Sequence, residues 1–153
     1  MKILKIDDRN LKSQICESVL RGLPLWFGIE SAIRDYVQDV KRMETWAVYK
    51  DNLAIGFASI NKHFSQSAEI HVMGIFEQFH RKGIGHQLIE VISNELRFQG
   101  FKFLTVKTLS ESRPNKEYEM TRHFYLKNGF VPLEEFKTLW GEANPCLLLV
   151  KIL

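Results

Sequence analysis

FHRKGIGHQLIEVI (residues 79–92) decides how this chain is read. It sets a basic pair, Arg81 and Lys82, before Gly83 and Gly85, and an amphipathic run after them. A strand-like segment, SAEIHVMGIF (residues 67–76), leads into it. A glycine turn at the mouth of a helix presents consecutive N–H groups at the positive end of the helix dipole, and without Cβ atoms the backbone can close on a ligand. That is the chemistry of an anion site, phosphate above all. Spacing then sorts the phosphate loops. A nucleotide P-loop needs Lys and then Ser or Thr after its last glycine, whereas here Lys82 precedes Gly83 and His86 follows Gly85. A dinucleotide fingerprint needs a third glycine where Leu88 stands. Both fail. The glycines alone leave open a tight turn that binds nothing.

Outward from the loop the elements fall in order. MKILKI (residues 1–6) alternates as a short strand, and Asp7 or Asp8 is placed to cap a helix running to Arg21, which Gly22 and Pro24 end. A second helix over about residues 29–40 carries Ile33, Tyr36, Val37 and Val40 at helical spacing. TWAVYK (45–50), LAIGFASINKHF (53–64) and SAEIHVMGIF read as an antiparallel meander, the first two joined at Asp51-Asn52. After the glycines, Ile84, Leu88, Val91, Ile92 and Leu96 share a helical face ending at Gly100. FKFLTVKTL (101–109) is apolar enough to be an interior strand. A helix over about 117–128 stops at Gly129, and FVPLEEFKTLW (130–140) and CLLLVKIL (146–153) close the chain as strands. The order βααβββαβαββ describes one α/β (α+β) domain.

At 153 residues the chain has room for one sizeable core. Its 21 Lys and Arg are interspersed with 18 Asp and Glu for a net charge of +3, so no basic stripe argues for nucleic acid. There is no apolar run of about eighteen residues and no signal-peptide layout at the start, which predicts a cytoplasmic protein with no membrane partner. Cys16 and Cys146 lie in no metal-ligand or disulfide pattern, and neither has the setting of a nucleophile. Both read as small buried hydrophobes, with no metal expected.

The pattern that survives is Q/R-x-x-G-x-G/A, and with FYLKNGFVPLEEF (124–136) it resembles the GNAT superfamily of acetyl-CoA-dependent N-acetyltransferases. The likeness covers most of the chain and includes the element order. It implies a single N-acetyltransferase domain over 1–153, with a mixed twisted sheet of about seven strands flanked by about four helices, its central strands splayed where acetyl-CoA enters. The coenzyme site it implies takes in Met73, Gly74 and Ile75 from the strand. From the loop it takes His80, Arg81, Lys82, Gly83, Ile84, Gly85 and His86. His80 stands where the family usually has Gln or Arg.

Glu69 shares a period-two strand face with His71, Met73 and Ile75, and on sequence alone it reads as a solvated strand-end carboxylate before it reads as a base. The gapless match of AEIHVMGIF to the strand bearing the catalytic glutamate of the histone acetyltransferase branch implies the second, with His71 in reserve. Tyr125 is either a core aromatic or, by the FY match, the acid that protonates the departing thiolate. Tyr118 and Thr121 stand where the family often has Asn and a small residue. Trp26, Glu30, Trp140 and Glu142 lie in loop segments that line the family's acceptor groove and read as contacts for a cationic amine or as loop packing. The implied reaction is direct acetyl transfer to a small-molecule or peptide amine. The rival is an acyl-CoA sensor or scaffold without turnover, and the exposed closing strands suggest a homodimer.

Overall fold

Asp8 opens the first helix: its carboxylate accepts from the Leu11 amide at 2.8 Å, one of the donors a helix N-terminus leaves unpaired. Asp51 and Asn52 then take positive φ, 51° and 67°, the backbone of a two-residue hairpin turn. The computed structural model describes residues 1–153, as β1 (Lys2–Ile6), α1 (Arg9–Arg21), α2 (Glu30–Asp39), β2 (Glu44–Lys50), β3 (Leu53–Lys62), β4 (Ser67–Ile75), α3 (Ile84–Phe98), β5 (Phe103–Leu109), α4 (Lys116–Lys127), β6 (Val131–Phe136) and β7 (Cys146–Ile152). The seven strands form one sheet in the order β1-β2-β3-β4-β5-β7-β6. All neighbours are antiparallel except β4 and β5, which run parallel through the crossover helix α3. No helix is long and apolar enough to cross a membrane.

Helices cover both faces. On one, Cys16, Val19 and Leu20 of α1 and Ile33 of α2 pack with Ala47, Phe57 and Val72 of the sheet. On the other, Leu88, Ile89, Ile92 and Leu96 of α3 and Tyr125 of α4 meet Ile55, Ile60, Ile70 and Leu104. Each side chain of this size, fully buried, contributes about 1.5–3 kcal/mol. The α3 stripe lies slightly round the helix from the one the sequence suggests. Val91 is exposed, while Ile89 and Ser93 are buried, because the i, i+4 row drifts toward the Ile89 side at 3.6 residues per turn. β6 ends at Phe136, short of the expected 140; a turn closing from Thr138 to Gly141 takes up the rest. Both cysteines are buried and free.

Two irregularities in β4 shape the middle of the sheet. Ile60 pairs with Ile70 and Ser59 with Val72, so His71 is an extra residue, a bulge. The bulge changes the parity of the strand. Ala68, Ile70, Met73 and Ile75 all pack on the α3 side, so Met73 and Ile75 lie on the opposite face from Glu69 and His71, not on the shared face expected from strict alternation. Beside the bulge, pairing with β5 stops: the register runs from Ser67↔Phe103 to Ile70↔Val106 and no further. The strands part there into a fork.

Candidate active site

A cleft of about 1640 Å³ occupies the fork and the space above it. Its floor is Ile70–Ile75 of β4 and Val106–Leu109 of β5. Because β5 has left, the β5-facing backbone of His71–Ile75 has no strand partner.

The glycine loop closes one end. Gly83 takes φ +77°, a left-handed conformation, and a Cβ there would meet nothing within 4 Å. Gly85 differs: its Cβ would lie 2.7 Å from the Phe124 ring, so this glycine lets α3 and α4 pack. No side chain caps α3. From Arg81 to His86 no amide donates to a backbone carbonyl, so six consecutive donors stand at the positive end of a 15-residue helix. The side chains are less available. The His80 ring N–H donates to the Ile75 carbonyl at 2.6 Å and the ring meets Trp26 edge-on, which pins the loop to the end of β4. Arg81 reaches across to Met120 Sδ, 3.7 Å away on α4. Lys82 sits over the Phe79 ring and is not part of the cleft wall. His86 bonds Asn128 at 2.7 Å.

α4 forms the facing wall. Tyr125 is buried between Phe124 and Phe130, each ring centroid 5.3 Å away, yet it also borders the cleft. Burial, and next its neighbours Tyr118 and Tyr36, push its phenol well above the usual range, so it is protonated at neutral pH. Tyr118 donates to the Trp26 carbonyl at 2.6 Å, and burial pushes it up to about 12. The Trp26 indole N–H in turn reaches the Glu117 carbonyl and Thr121 Oγ1, both at 3.2 Å. Segment 23–29 is thereby clasped to α4. Trp26 borders the cleft with its donor committed to that clasp.

Glu69 and His71, close in sequence, have different surroundings. Glu69 is 6 % exposed, not solvated, with one carboxylate oxygen 2.7 Å from His63 Nε2 and the other 2.9 Å from Lys107 Nζ. The cleft wall includes His71 and leaves Glu69 out. The Nε2 of His71 lies 2.9 Å from Asp39 Oδ2, and Tyr36 packs edge-on against the ring at 5.3 Å. Trp140 borders the cleft; Glu30 and Glu142 do not, Glu30 being paired with Arg21 at 2.8 and 2.9 Å.

His63, Lys107 and Asp39 escaped the sequence reading, which took Tyr36 only as part of a helical face. Two left a trace in it. Lys107 is a lone charge in an apolar strand, and Asp39 ends α2, where the helix dipole disfavours a carboxylate and a partner is needed. No group of three or more His, Cys, Asp or Glu side chains that could hold a metal ion occurs.

A family model described as an acetyltransferase (GNAT) domain matches residues 41–132. No curated protein matches the sequence. Solved structures share its fold over nearly their whole length. A GNAT-family protein of Desulfovibrio desulfuricans superposes with a TM-score of 0.83 at 13% identity, covering 99% of this chain and 98% of that one. A GNAT family acetyltransferase from Elizabethkingia anophelis with acetyl-CoA bound gives 0.75 at 19% identity, covering 99% and 97%. An aminoglycoside 6'-N-acetyltransferase complexed with coenzyme A gives 0.78 at 17% identity, with the same coverage.

Proposed function

The chain belongs to the GNAT acetyltransferase family, and from that premise we propose that it transfers acetyl from acetyl-CoA directly to the nitrogen of an amine. One observation carries the reading: six unpaired amides, Arg81 to His86, open beside a fork whose β4 edge has free backbone groups. A pyrophosphate matches the first in charge and donor count, and an amide-bearing pantetheine arm matches the second, along Met73, Gly74 and Ile75.

The chemistry rests on the groups that border the fork. The amine nitrogen attacks the thioester carbonyl carbon; a C–N bond forms and the C–S bond breaks. Tyr125, held protonated, gives its proton to the departing sulfur. The proton shed by the nitrogen goes to His71, whose Nε2–H is held by Asp39, leaving Nδ1 as acceptor. Glu69 was expected in this role; its oxygens are taken by His63 and Lys107 and the carboxylate does not itself border the cleft, so we give it the task of fixing Lys107. Burial pushes the thiols of Cys16 and Cys146 up to about 12 and about 11, so neither supplies a thiolate for an acyl-enzyme, which supports direct transfer.

Calorimetry with acetyl-CoA tests the site, and release of free CoA thiol with a mixture of amines tests turnover. Absence of acetyl-CoA binding by the folded protein would sink the reading. Binding without thiol release from any amine leaves the sensor or scaffold reading in its place.

A further inference from the structure

The acceptor end of the cleft has a distinctive wall. Leu25 and Ile29, 58 % and 60 % exposed, and Trp140, 41 % exposed, stand at its mouth, with Phe27 and Tyr36 behind them. Phe27 meets Tyr36 edge-on at 6.1 Å and Tyr36 meets His71 at 5.3 Å, so aromatic rings lead from the mouth to the proposed base. Exposed apolar side chains gathered around a cleft mark what the cleft covers.

Charge points the same way. Of the three carboxylates on the wall, Asp39 is engaged by His71 at 2.9 Å and Arg42 at 3.2 Å, which leaves Asp35 of α2 and Glu119 of α4 uncommitted. Arg113 is a cation on the same wall, and Lys107, also on it, is balanced by Glu69 at 2.9 Å. A polycationic acceptor with three or more ammonium groups outnumbers these two carboxylates and also meets Arg113. A single ammonium is served by Asp35 and the ring faces.

Resting on the acyl-transfer reading above, we propose that the acceptor is a monocationic amine with an apolar, aromatic-sized body, and that Phe27 and Trp140 set this specificity. The ammonium enters over the rings and releases one proton to solvent, the free amine attacks and its second proton goes to His71, while the apolar body remains against Leu25, Ile29 and Trp140.

The test compares the full chain, saturated with acetyl-CoA, on 2-phenylethylamine and tryptamine against kanamycin and spermidine. The aromatic monoamines should show kcat/KM at least about tenfold above the polycations. Phe27→Leu and Trp140→Ala should each raise KM for 2-phenylethylamine about fivefold or more, with kcat within about twofold and acetyl-CoA affinity unchanged. A merely structural role would lower kcat and acetyl-CoA affinity instead, and that result overturns the assignment of these residues. If acetyl-CoA binds and kanamycin or spermidine is the better acceptor, this inference falls alone. If acetyl-CoA fails to bind, or binds and reacts with no amine, the acyl-transfer reading falls and takes this inference with it.

Discussion

His71 and Glu69 stand two residues apart on β4, one on the cleft wall and one behind it, and substitution separates their roles. His71→Gln removes the group proposed to take the proton, so kcat/KM should fall about a hundredfold or more. The acidic limb of its pH profile should flatten, because that limb reports protonation of the base. Glu69→Gln should keep the profile while lowering stability by about 1–3 kcal/mol in urea titration, since Lys107 loses its counter-charge. An unchanged profile in His71→Gln together with a flattened one in Glu69→Gln would reverse the assignment. Tyr125→Phe keeps the ring between Phe124 and Phe130, so thermal stability should hold while kcat drops roughly tenfold to a thousandfold. A raised phenol pKa keeps the acid protonated to higher pH, so Tyr125 should impose no alkaline loss of rate below about pH 10, the ordinary tyrosine value. At this scale the sequence exposed Glu69, His71 and Tyr125 through resemblance. It hid their relative placement, because one extra residue at position 71 inverts the strand's parity and no periodicity records a bulge.

Elements were legible wherever period and punctuation agreed: the Asp8 cap, the Asp51-Asn52 turn and the glycine loop all stand where the residues put them. Edges were less so, as with β6, which a register shift between Pro132 and Glu134 breaks. The two loop glycines illustrate the limit, since sequence treats them alike and structure does not. Gly85→Ala drives a Cβ into the Phe124 ring and should cost about 1–3 kcal/mol of stability. Gly83→Val faces open space at positive φ, so it should cost about 1–2 kcal/mol in backbone strain and weaken acetyl-CoA binding by calorimetry well beyond that loss. Equal acetyl-CoA affinity in folded Gly83→Val would remove this position from the anion site. At the far edge of the sheet, Glu44 bonds Lys5 of β1 at 2.7 Å and Lys62 of β3 at 2.8 Å. Burial raises its pKa, but the two ammonium groups outweigh burial and hold it below the usual carboxylate range. Its stabilisation is therefore present at neutral pH and lost as pH falls through the lowered folded value. The stability gap between the parent and Glu44→Gln, about 1 kcal/mol at pH 7, should close on acidification.

The molecule as a whole is a sheet in two parts, β1 to β4 and then β5, β7 and β6, with helices on both faces. Its outline was readable because the order βααβββαβαββ leaves few ways to pack around one parallel crossover. Of the proposed acceptor wall only Trp140 was named as a contact from the sequence, since Phe27 and Tyr36 lie more than a hundred residues before it and join it only in the folded chain. If acetyl-CoA fills the fork, ligand at about a hundred times its Kd adds about 2.7 kcal/mol, which a thermal melt should register as a rise of roughly 5–10 °C. No shift would argue against occupancy of the fork. The seam itself has a mechanical meaning. Only Ser67–Ile70 and Phe103–Val106 join the two halves of the sheet by strand pairing. Pulled apart in an optical trap, the empty protein should tear first along that short stitch, and a molecule laid in the fork would act as a clasp, raising the force at which the halves part.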